Sequence, residues 1–143
     1  MKPSVLLRTA AVLALLYFAG HTAGAPWTPV QGVAERAVVE AMKARPFEVQ
    51  GFARTYWDFY FGFGVAISGF LLVQAVVLWQ LASTAKSDAG RLRPVLASFF
   101  VAFLFNAIVA WKYFFPLPAI FAAAIALCLG LAFLVARRAP AHP

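Results

Sequence analysis

The sequence predicts an all-α membrane protein, a bundle of four transmembrane helices with a short amphipathic extramembrane helix between the first and the second. Of its 143 residues, 64% are hydrophobic and 12% are charged, with a mean hydropathy of +0.83. A water-soluble domain of this length cannot bury so much apolar surface. Four stretches without Asp, Glu, Lys or Arg have about the length that crosses a bilayer core. They are residues 9–34, 59–85, 94–111 and 113–136.

The first membrane helix is predicted over residues 4–23, with Lys2 and Arg8 near its start. A charged start, a short apolar run and then small residues are also typical of a cleaved signal peptide. Cleavage after Ala25 would leave Pro26 directly beyond the scissile bond, which is a poor site. The retained helix is therefore the favoured interpretation, and cleavage remains the alternative.

The amphipathic helix is predicted over residues 29–44. Thr28 and Gln31 have the spacing of a capping box, with Pro29 at the first helical position. At 3.6 residues per turn, apolar and charged side chains fall on opposite sides of this helix. The apolar side holds Val33, Ala34, Ala37, Val38 and Ala41, and the charged side holds Arg36, Glu40 and Lys43. Both Arg36/Glu40 and Glu40/Lys43 are spaced as ion pairs. Such a helix can lie on the membrane surface or cap the bundle.

The second membrane helix is predicted over residues 56–82. Its first turns carry the aromatic run Trp57-Asp58-Phe59-Tyr60-Phe61, and Trp79 lies near its far end, which is typical of the two membrane interfaces. Small residues at three- and four-residue spacing allow close helix approach and favour a central position for this helix. They are Gly62, Ala66 and Gly69 on one face, with Gly64 and Ser68 on another.

The third and fourth membrane helices are predicted over residues 94–114 and 118–137. Pro94 suits a helix start, and Trp111-Lys112-Tyr113 is typical of an interface. The sequence Phe115-Pro116-Leu117-Pro118 predicts a tight reversal between the two helices.

Positive charge predicts the orientation of the chain. One side holds Lys2, Arg8, Lys86, Arg91, Arg93, Arg137 and Arg138, and the other holds Arg36, Lys43, Arg45, Arg54 and Lys112. Because short cytoplasmic segments are enriched in Lys and Arg, both termini are predicted in the cytoplasm of a cell whose plasma (inner) membrane holds the protein. These cations bracket apolar runs and form no continuous stripe, so no nucleic-acid partner is expected.

The candidate catalytic residues are His21 and Asp58, which this orientation places at the outer ends of two helices. An imidazole whose tautomer is fixed by a carboxylate is suited to proton transfer. The candidate ligand-binding residues around this outer mouth and deeper in the bundle are Trp27, Arg54, Tyr56, Tyr60, Asn106 and Lys112.

Each of these residues also has a structural interpretation. Thr55 and Asp58 have the spacing of a capping box, and Arg54 is within reach of the carboxylate. His21 can simply end the first helix at the interface. Amides such as Gln74 and Asn106 often form hydrogen bonds between membrane helices.

The sequence excludes several kinds of chemistry. Cys128 is the single cysteine, so neither an intrachain disulfide nor exchange through a cysteine pair can occur. The sequence has two histidines, one of them His142 near the C-terminus, and these are too few ligands for a conventional metal site. No Gly-x-Gly-x-x-Gly, Walker or Gly-x-Ser-x-Gly motif is present. No metal and no other cofactor is therefore expected.

Two strings of the sequence resemble a known group of proteins. They are Gly20-His21-Thr22-Ala23-Gly24 and the run from Arg54 to Gly64, Arg-Thr-Tyr-Trp-Asp-Phe-Tyr-Phe-Gly-Phe-Gly. The chain resembles small uncharacterised bacterial four-helix integral membrane proteins, and the match covers mainly the first two membrane helices. The layout is loosely similar to that of small DoxX-type proteins, without a shared residue motif. The resemblance implies an architecture and no particular activity.

Two functions are compatible with these features. The first is a noncatalytic membrane module that binds an apolar small molecule or a partner membrane protein through its helices and outer face, with an oligomer compatible with either. The alternative is a small isomerase or proton-transfer enzyme acting on a lipid-like substrate through His21 and Asp58. One acid/base pair is too little to establish catalysis, so the module is favoured and the question of an enzyme stays open.

Overall fold

The computed structural model describes residues 2–24 and 27–136 of the chain. Within them lie helices α1 (Pro3–Gly24), α2 (Val33–Ala44), α3 (Tyr56–Asp88), α4 (Arg93–Tyr113) and α5 (Pro116–Val135), strands β1 (Phe47–Val49) and β2 (Phe52–Arg54), and a short 3-10 turn before α4. Four helices, α1, α3, α4 and α5, are long and apolar enough to cross a membrane. The architecture is therefore that of a small membrane protein with several spans. Ala25 and Pro26, where the alternative of signal-peptide cleavage would act, and Arg137, Arg138 and His142 lie outside the described residues.

The chain divides into two compact units. Unit 1 comprises the described parts of Met1–Phe18 and Leu71–Pro143, and unit 2 comprises those of Ala19–Phe70. Helices α1 and α3 each contribute to both units, because the divisions fall inside them.

Unit 1 has a core of small and medium-sized apolar side chains. On α3 the buried positions Leu71, Ala75, Leu78 and Ala82 alternate three- and four-residue steps. This spacing keeps one stripe of a helix against its neighbours, as in coiled coils. Helix α1 has a stripe of the same spacing, formed by Leu7, Ala10, Ala14 and Tyr17. Helices α4 and α5 add the core residues Leu96, Phe103, Ile125 and Leu129.

Large apolar side chains also cover the outside of unit 1. Val101, Phe105 and Leu127 lie within helices and are 62%, 67% and 62% exposed. In water such a surface would be an aggregation site, whereas lipid solvates it without cost. The pattern of exposure thus agrees with a membrane-spanning protein.

Helices α4 and α5 pack closely along their length. A Cβ placed on Gly130 of α5 would lie 3.2 Å from a ring carbon of Phe100 on α4, so a larger residue would require the ring to move by a few tenths of an ångström. At the end of the pair, Arg93 Nη1 donates a 2.9 Å hydrogen bond to the carbonyl oxygen of Ala136. Its guanidinium also lies 4.1 Å from the ring centroid of Phe133. A cation at this position satisfies a carbonyl at the C-terminal end of α5 and complements the helix dipole.

Helix α3 is longer than the sequence predicts. It continues to Asp88 instead of ending at residue 82, and its 33 residues extend about 50 Å. The polar residues of the last turns do not stop it, because Thr84 donates its hydroxyl to the carbonyl of Gln80 and Ala85 is buried in the core. Asp88 then ends the helix by accepting the backbone N–H of Arg91 and pairing with its guanidinium at 2.9 Å.

The reversal between α4 and α5 is tighter than predicted. Only Phe114 and Phe115 separate the two helices, and α5 begins at Pro116 instead of residue 118. Both Pro116 and Pro118 lie in the first turn of α5, where the missing N–H groups have no intrahelical partner to lose.

In unit 2, the predicted capping box before α2 is wrong. The helix starts at Val33, four residues later than expected, after Gly32 with φ 83°. The Thr28 hydroxyl donates to the carbonyl of Gly24, so it does not cap α2. Of the two predicted ion pairs, Glu40 and Lys43 meet at 3.5 Å. Within residues 2–24 and 27–136, Arg36 forms no salt bridge with Glu40.

A β-hairpin that the sequence analysis missed connects α2 to α3. Phe47 pairs with Arg54, and Val49 pairs with Phe52, in antiparallel register. The two turn residues, Gln50 and Gly51, have φ of 50° and 83°, as a type I′ turn requires. The hairpin leaves a short connection between the amphipathic helix and the start of α3.

Replacement of Gly130 by valine should separate α4 from α5. The added side chain meets the Phe100 ring, and overpacking of this kind costs about 1–3 kcal/mol. We expect a lower midpoint of thermal unfolding, measured by circular dichroism in detergent micelles. Gly69→Val on α3 is the control, because a Cβ at Gly69 has nothing within 4 Å. An equal loss of stability in both variants would contradict the close approach.

Candidate functional site

The most polar cluster inside the helices of unit 2 is formed by His21, Thr22 and Ser68. Ser68, on α3, is 6% exposed, and its Oγ lies 3.0 Å from Nδ1 of His21 on α1. The Thr22 hydroxyl donates a 2.9 Å hydrogen bond to the same Ser68 oxygen. Ser68 therefore joins a hydroxyl and an imidazole from the neighbouring helix.

This cluster lies deep relative to the start of α3. Ser68 follows Asp58 by ten residues, which is about 15 Å along the helix axis and half the thickness of a bilayer core. His21 contacts Ser68, so it does not share the depth of Asp58 as the sequence analysis expected. Polar groups at such a depth are costly unless they are paired, and they are the first places to seek function in a membrane protein.

Asp58 has a local structural role at the start of α3. Its Oδ2 accepts the Thr55 backbone N–H at 2.7 Å and the Thr55 hydroxyl at 2.9 Å, and its own N–H donates to that hydroxyl oxygen at 3.1 Å. This is the reciprocal capping box that the sequence predicts. In the described residues no hydrogen bond joins Asp58 to His21, so the proposed acid/base pair is not directly formed.

The predicted ligand-binding aromatics form contacts near the start of α3. Trp27 meets the edge of Phe61 with ring centroids 5.3 Å apart and donates its indole N–H to the carbonyl of Thr22. The Tyr60 ring lies 5.5 Å from that of Trp57. The Tyr56 ring is 4.9 Å from the Phe47 ring of the hairpin.

Arg54 and Asp58 border a shallow groove along α3. It has a volume of about 370 Å³ and is also lined by Phe59, Gly62, Phe63 and Ala66. Arg54 donates to the carbonyl of Ala53 instead of pairing with Asp58 in the described structure. A Cβ at Gly62 or Gly69 would have nothing within 4 Å among the described residues, so no described neighbour packs against α3 at these two positions.

Unit 1 contains the predicted amides Asn106 and Gln74. Tyr17 on α1 donates a 3.4 Å hydrogen bond to Asn106 Oδ1 on α4, which confirms the interhelical interpretation for Asn106. Gln74 Oε1 is buried, and no partner is found for it among the described residues.

A second groove opens between α4 and α5 in unit 1. It has a volume of about 770 Å³, and its lining consists of Ala107, Ile108, Trp111, Lys112, Ala119, Ile120 and Ala123. The small alanines leave the space, and Trp111 and Lys112 border it next to the reversal. Lys112 lies 5.2 Å from the ring centroid of Tyr113, and no carboxylate pairs with it within residues 2–24 and 27–136. Asp88 is the last acidic residue of the sequence, so α4 and α5 offer no anion of their own.

Sequence reasoning missed Ser68 as the partner of His21. The spacing of buried positions on α3 could have indicated this pairing. One stripe of three- and four-residue steps contains Ser68, Leu71, Ala75 and Leu78. His21 similarly follows Tyr17 by four residues on α1. Extending both stripes would have brought the two polar residues to one interhelical seam.

A scan against protein-family models and searches of curated proteins and of solved structures find no match to this chain. Within the described residues there is also no group of three or more metal-ligating side chains.

Replacing Ser68 by alanine should weaken the association of α1 with α3. His21 and Thr22 would lose their shared partner, and hydrogen bonds between membrane helices contribute about 0.6–1.7 kcal/mol. The free energy of unfolding in mixed micelles measures this loss. Ser98→Ala is the matched control, since the Ser98 hydroxyl bonds only to the Pro94 carbonyl of its own helix. If both variants lose the same free energy, the cluster does not couple the two helices.

Proposed function

We propose that this chain is a noncatalytic membrane module that binds an apolar ligand along its helical faces. The observation that carries the proposal is the groove of about 770 Å³ between α4 and α5. The groove is open along one side, and its lining is almost wholly apolar. An acyl chain, or the apolar helix of a partner membrane protein, fits such a surface.

The residues that border the groove indicate which end of a ligand they would meet. Lys112 is an exposed cation beside the exposed ring of Trp111, and the two have the character of a membrane interface. An amphipathic lipid with a negatively charged head group would satisfy both features, because its chain occupies the groove and its head group meets the ammonium.

The cellular setting is part of this proposal. The excess of Lys and Arg on one side supports a bacterial inner membrane with both termini in the cytoplasm. The reversal between α4 and α5 would then face the outside, together with Lys112. The two sequence strings that resemble bacterial four-helix proteins support the same setting.

Filling the groove should remove its ligand. We expect Ala123→Phe to reduce the lipid that copurifies with the protein, measured by native mass spectrometry in a mild detergent. Lys112→Gln should lower the preference for phosphatidylglycerol over phosphatidylcholine about fivefold, since one basic residue near a lipid surface contributes about 1 kcal/mol.

The control for the groove variant is Ala102→Phe, which adds the same ring to an exposed alanine of α4 outside the groove lining. Unchanged lipid content in Ala123→Phe would overturn a lipid ligand in this groove. A loss of a copurifying protein in that variant alone would instead favour the partner helix.

A second candidate is a small membrane enzyme acting on a lipid-like substrate, and the contact of His21 with Ser68 favours it. The Thr22 hydroxyl donates to the Ser68 oxygen. If the Ser68 hydroxyl in turn donates to Nδ1 of His21, the three groups form one chain of hydrogen bonds that ends at the imidazole. Such a chain fixes a neutral imidazole that can exchange a proton with a bound carbonyl compound. In this version, Ser68 replaces Asp58 as the residue that orients His21.

Isotope exchange tests the enzyme alternative. Purified protein in nanodiscs of bacterial lipid extract is incubated in D₂O, and deuterium at carbon positions of the lipids is measured by mass spectrometry. An isomerase or proton-transfer enzyme should incorporate deuterium, and His21→Asn should abolish this incorporation. Equal incorporation with wild type, His21→Asn and empty nanodiscs would exclude proton transfer through His21 to these lipids.

A further inference from the structure

Helix α2 of unit 2 has an uncovered apolar face. Val33 and Val38 are 88% and 60% exposed, and Ala34, Ala37 and Ala41 on the same side are exposed as well. Two side chains of α2 are partly covered, Met42 at one edge of this face and Val39 on the opposite side of the helix. The helix therefore does not use its apolar side to cap the chain.

The segment that precedes α2 is held near the start of α3. Trp27 packs its ring against Phe61, and its indole N–H is bonded to the Thr22 carbonyl. Phe61 belongs to the aromatic run at the first turns of α3, where a membrane interface is expected. The chain thus enters α2 from the level of this aromatic run.

The other end of α2 is held at the same level. The Lys43 ammonium lies 4.9 Å from the ring centroid of Trp57. Just beyond α2, Phe47 stacks on Phe59 with ring centroids 5.9 Å apart. The hairpin then leads directly to Tyr56, so no long linker allows α2 to move away.

These contacts hold Trp27, six residues before α2, and Lys43, in the last turn of α2, at nearly one level of α3. Their partners on α3, Trp57, Phe59 and Phe61, lie within five residues, or about 6 Å of helix axis. A helix that starts shortly after one of these contacts and ends at the other lies beside the interface end of α3. We propose that α2 is an interfacial helix whose apolar face enters the lipid bilayer that α3 spans.

The charges of α2 fit this position and indicate how it is held. Arg36 and Lys43 lie opposite the apolar face, where they would meet water and head groups, and Glu40 lies at the edge of that face. With Glu35, the helix has two cations and two anions, so its formal charge is zero. Burial of the apolar face, and not attraction to anionic lipid, therefore holds it on the membrane. This inference does not depend on the groove between α4 and α5.

Site-directed spin labelling in phosphatidylcholine nanodiscs tests the position of α2. Full-length Cys128→Ala protein carries a single nitroxide at Val38→Cys, on the apolar face, or at Glu40→Cys, at its charged edge. Collision with oxygen and with a water-soluble nickel chelate reports the depth of each label. We expect the label at 38 about 5–10 Å below the phosphates, and the label at 40 in water. Ala34→Cys and Arg36→Cys form a second pair, and circular dichroism confirms that each variant is folded.

Two results would overturn the proposal. If all four labels are equally accessible to the nickel chelate, α2 lies in water. If the labels at 34 and 38 are shielded from oxygen and nickel alike, the face is covered by protein, either a second copy or a partner. If the labels at 34 and 38 lie in the bilayer and those at 36 and 40 lie in water, α2 is at the interface. Because phosphatidylcholine has no net charge, this result would also show that burial of the apolar face holds α2 there.

Discussion

A polar group in hydrocarbon must find its hydrogen-bond partner inside the protein, and this constraint governs the structure. The backbone meets it by forming helices, and isolated hydroxyls meet it within their own helix. Ser98 bonds to the carbonyl of Pro94, and Thr84 bonds to that of Gln80. Ser68 is different, because it bonds across to His21 and Thr22. It thereby links α1 and α3 through side chains, ten residues along α3 from Asp58.

Charged and aromatic residues show the same constraint at the helix ends. Asp58 is occupied in capping α3, and Arg93 satisfies the last described carbonyl after α5. Lys112 has neither role and borders an apolar groove without a carboxylate partner in the described chain. The difference matters for the proposed function, because the Lys112 ammonium is exposed at the border of the groove.

The grooves and the polar cluster favour different functions. Binding needs an accessible apolar surface, which the α4 and α5 groove offers at about 770 Å³. Catalysis needs reactive groups together with space for a substrate, and the groove along α3 is lined by Asp58 but by neither His21 nor Ser68. The hydrogen bonds of Ser68 explain the cluster as an interhelical link without any chemistry. This difference is the reason that we propose a binding module first and an enzyme second.

The sequence by itself determined the four apolar helices, the capping box of Thr55 and Asp58, and the two faces of α2. These features depend on length, composition and local spacing, which a reader of the sequence can measure directly. Composition and local spacing did not predict the full length of α3. Its last turns are polar, and they remain helical because Ala85 is buried in the core. The hairpin turn at Gln50 and Gly51 was missed, although a two-residue turn ending in glycine is a recognisable signal.

Only the tertiary structure decided which polar residues meet. Distance along the sequence does not show that His21 pairs with Ser68, 47 positions away, instead of with Asp58. Nor does it show that Trp27, before α2, and Lys43, at its end, contact one short stretch of α3. Such contacts depend on the register between helices, and that register is set by the summed packing of many small side chains.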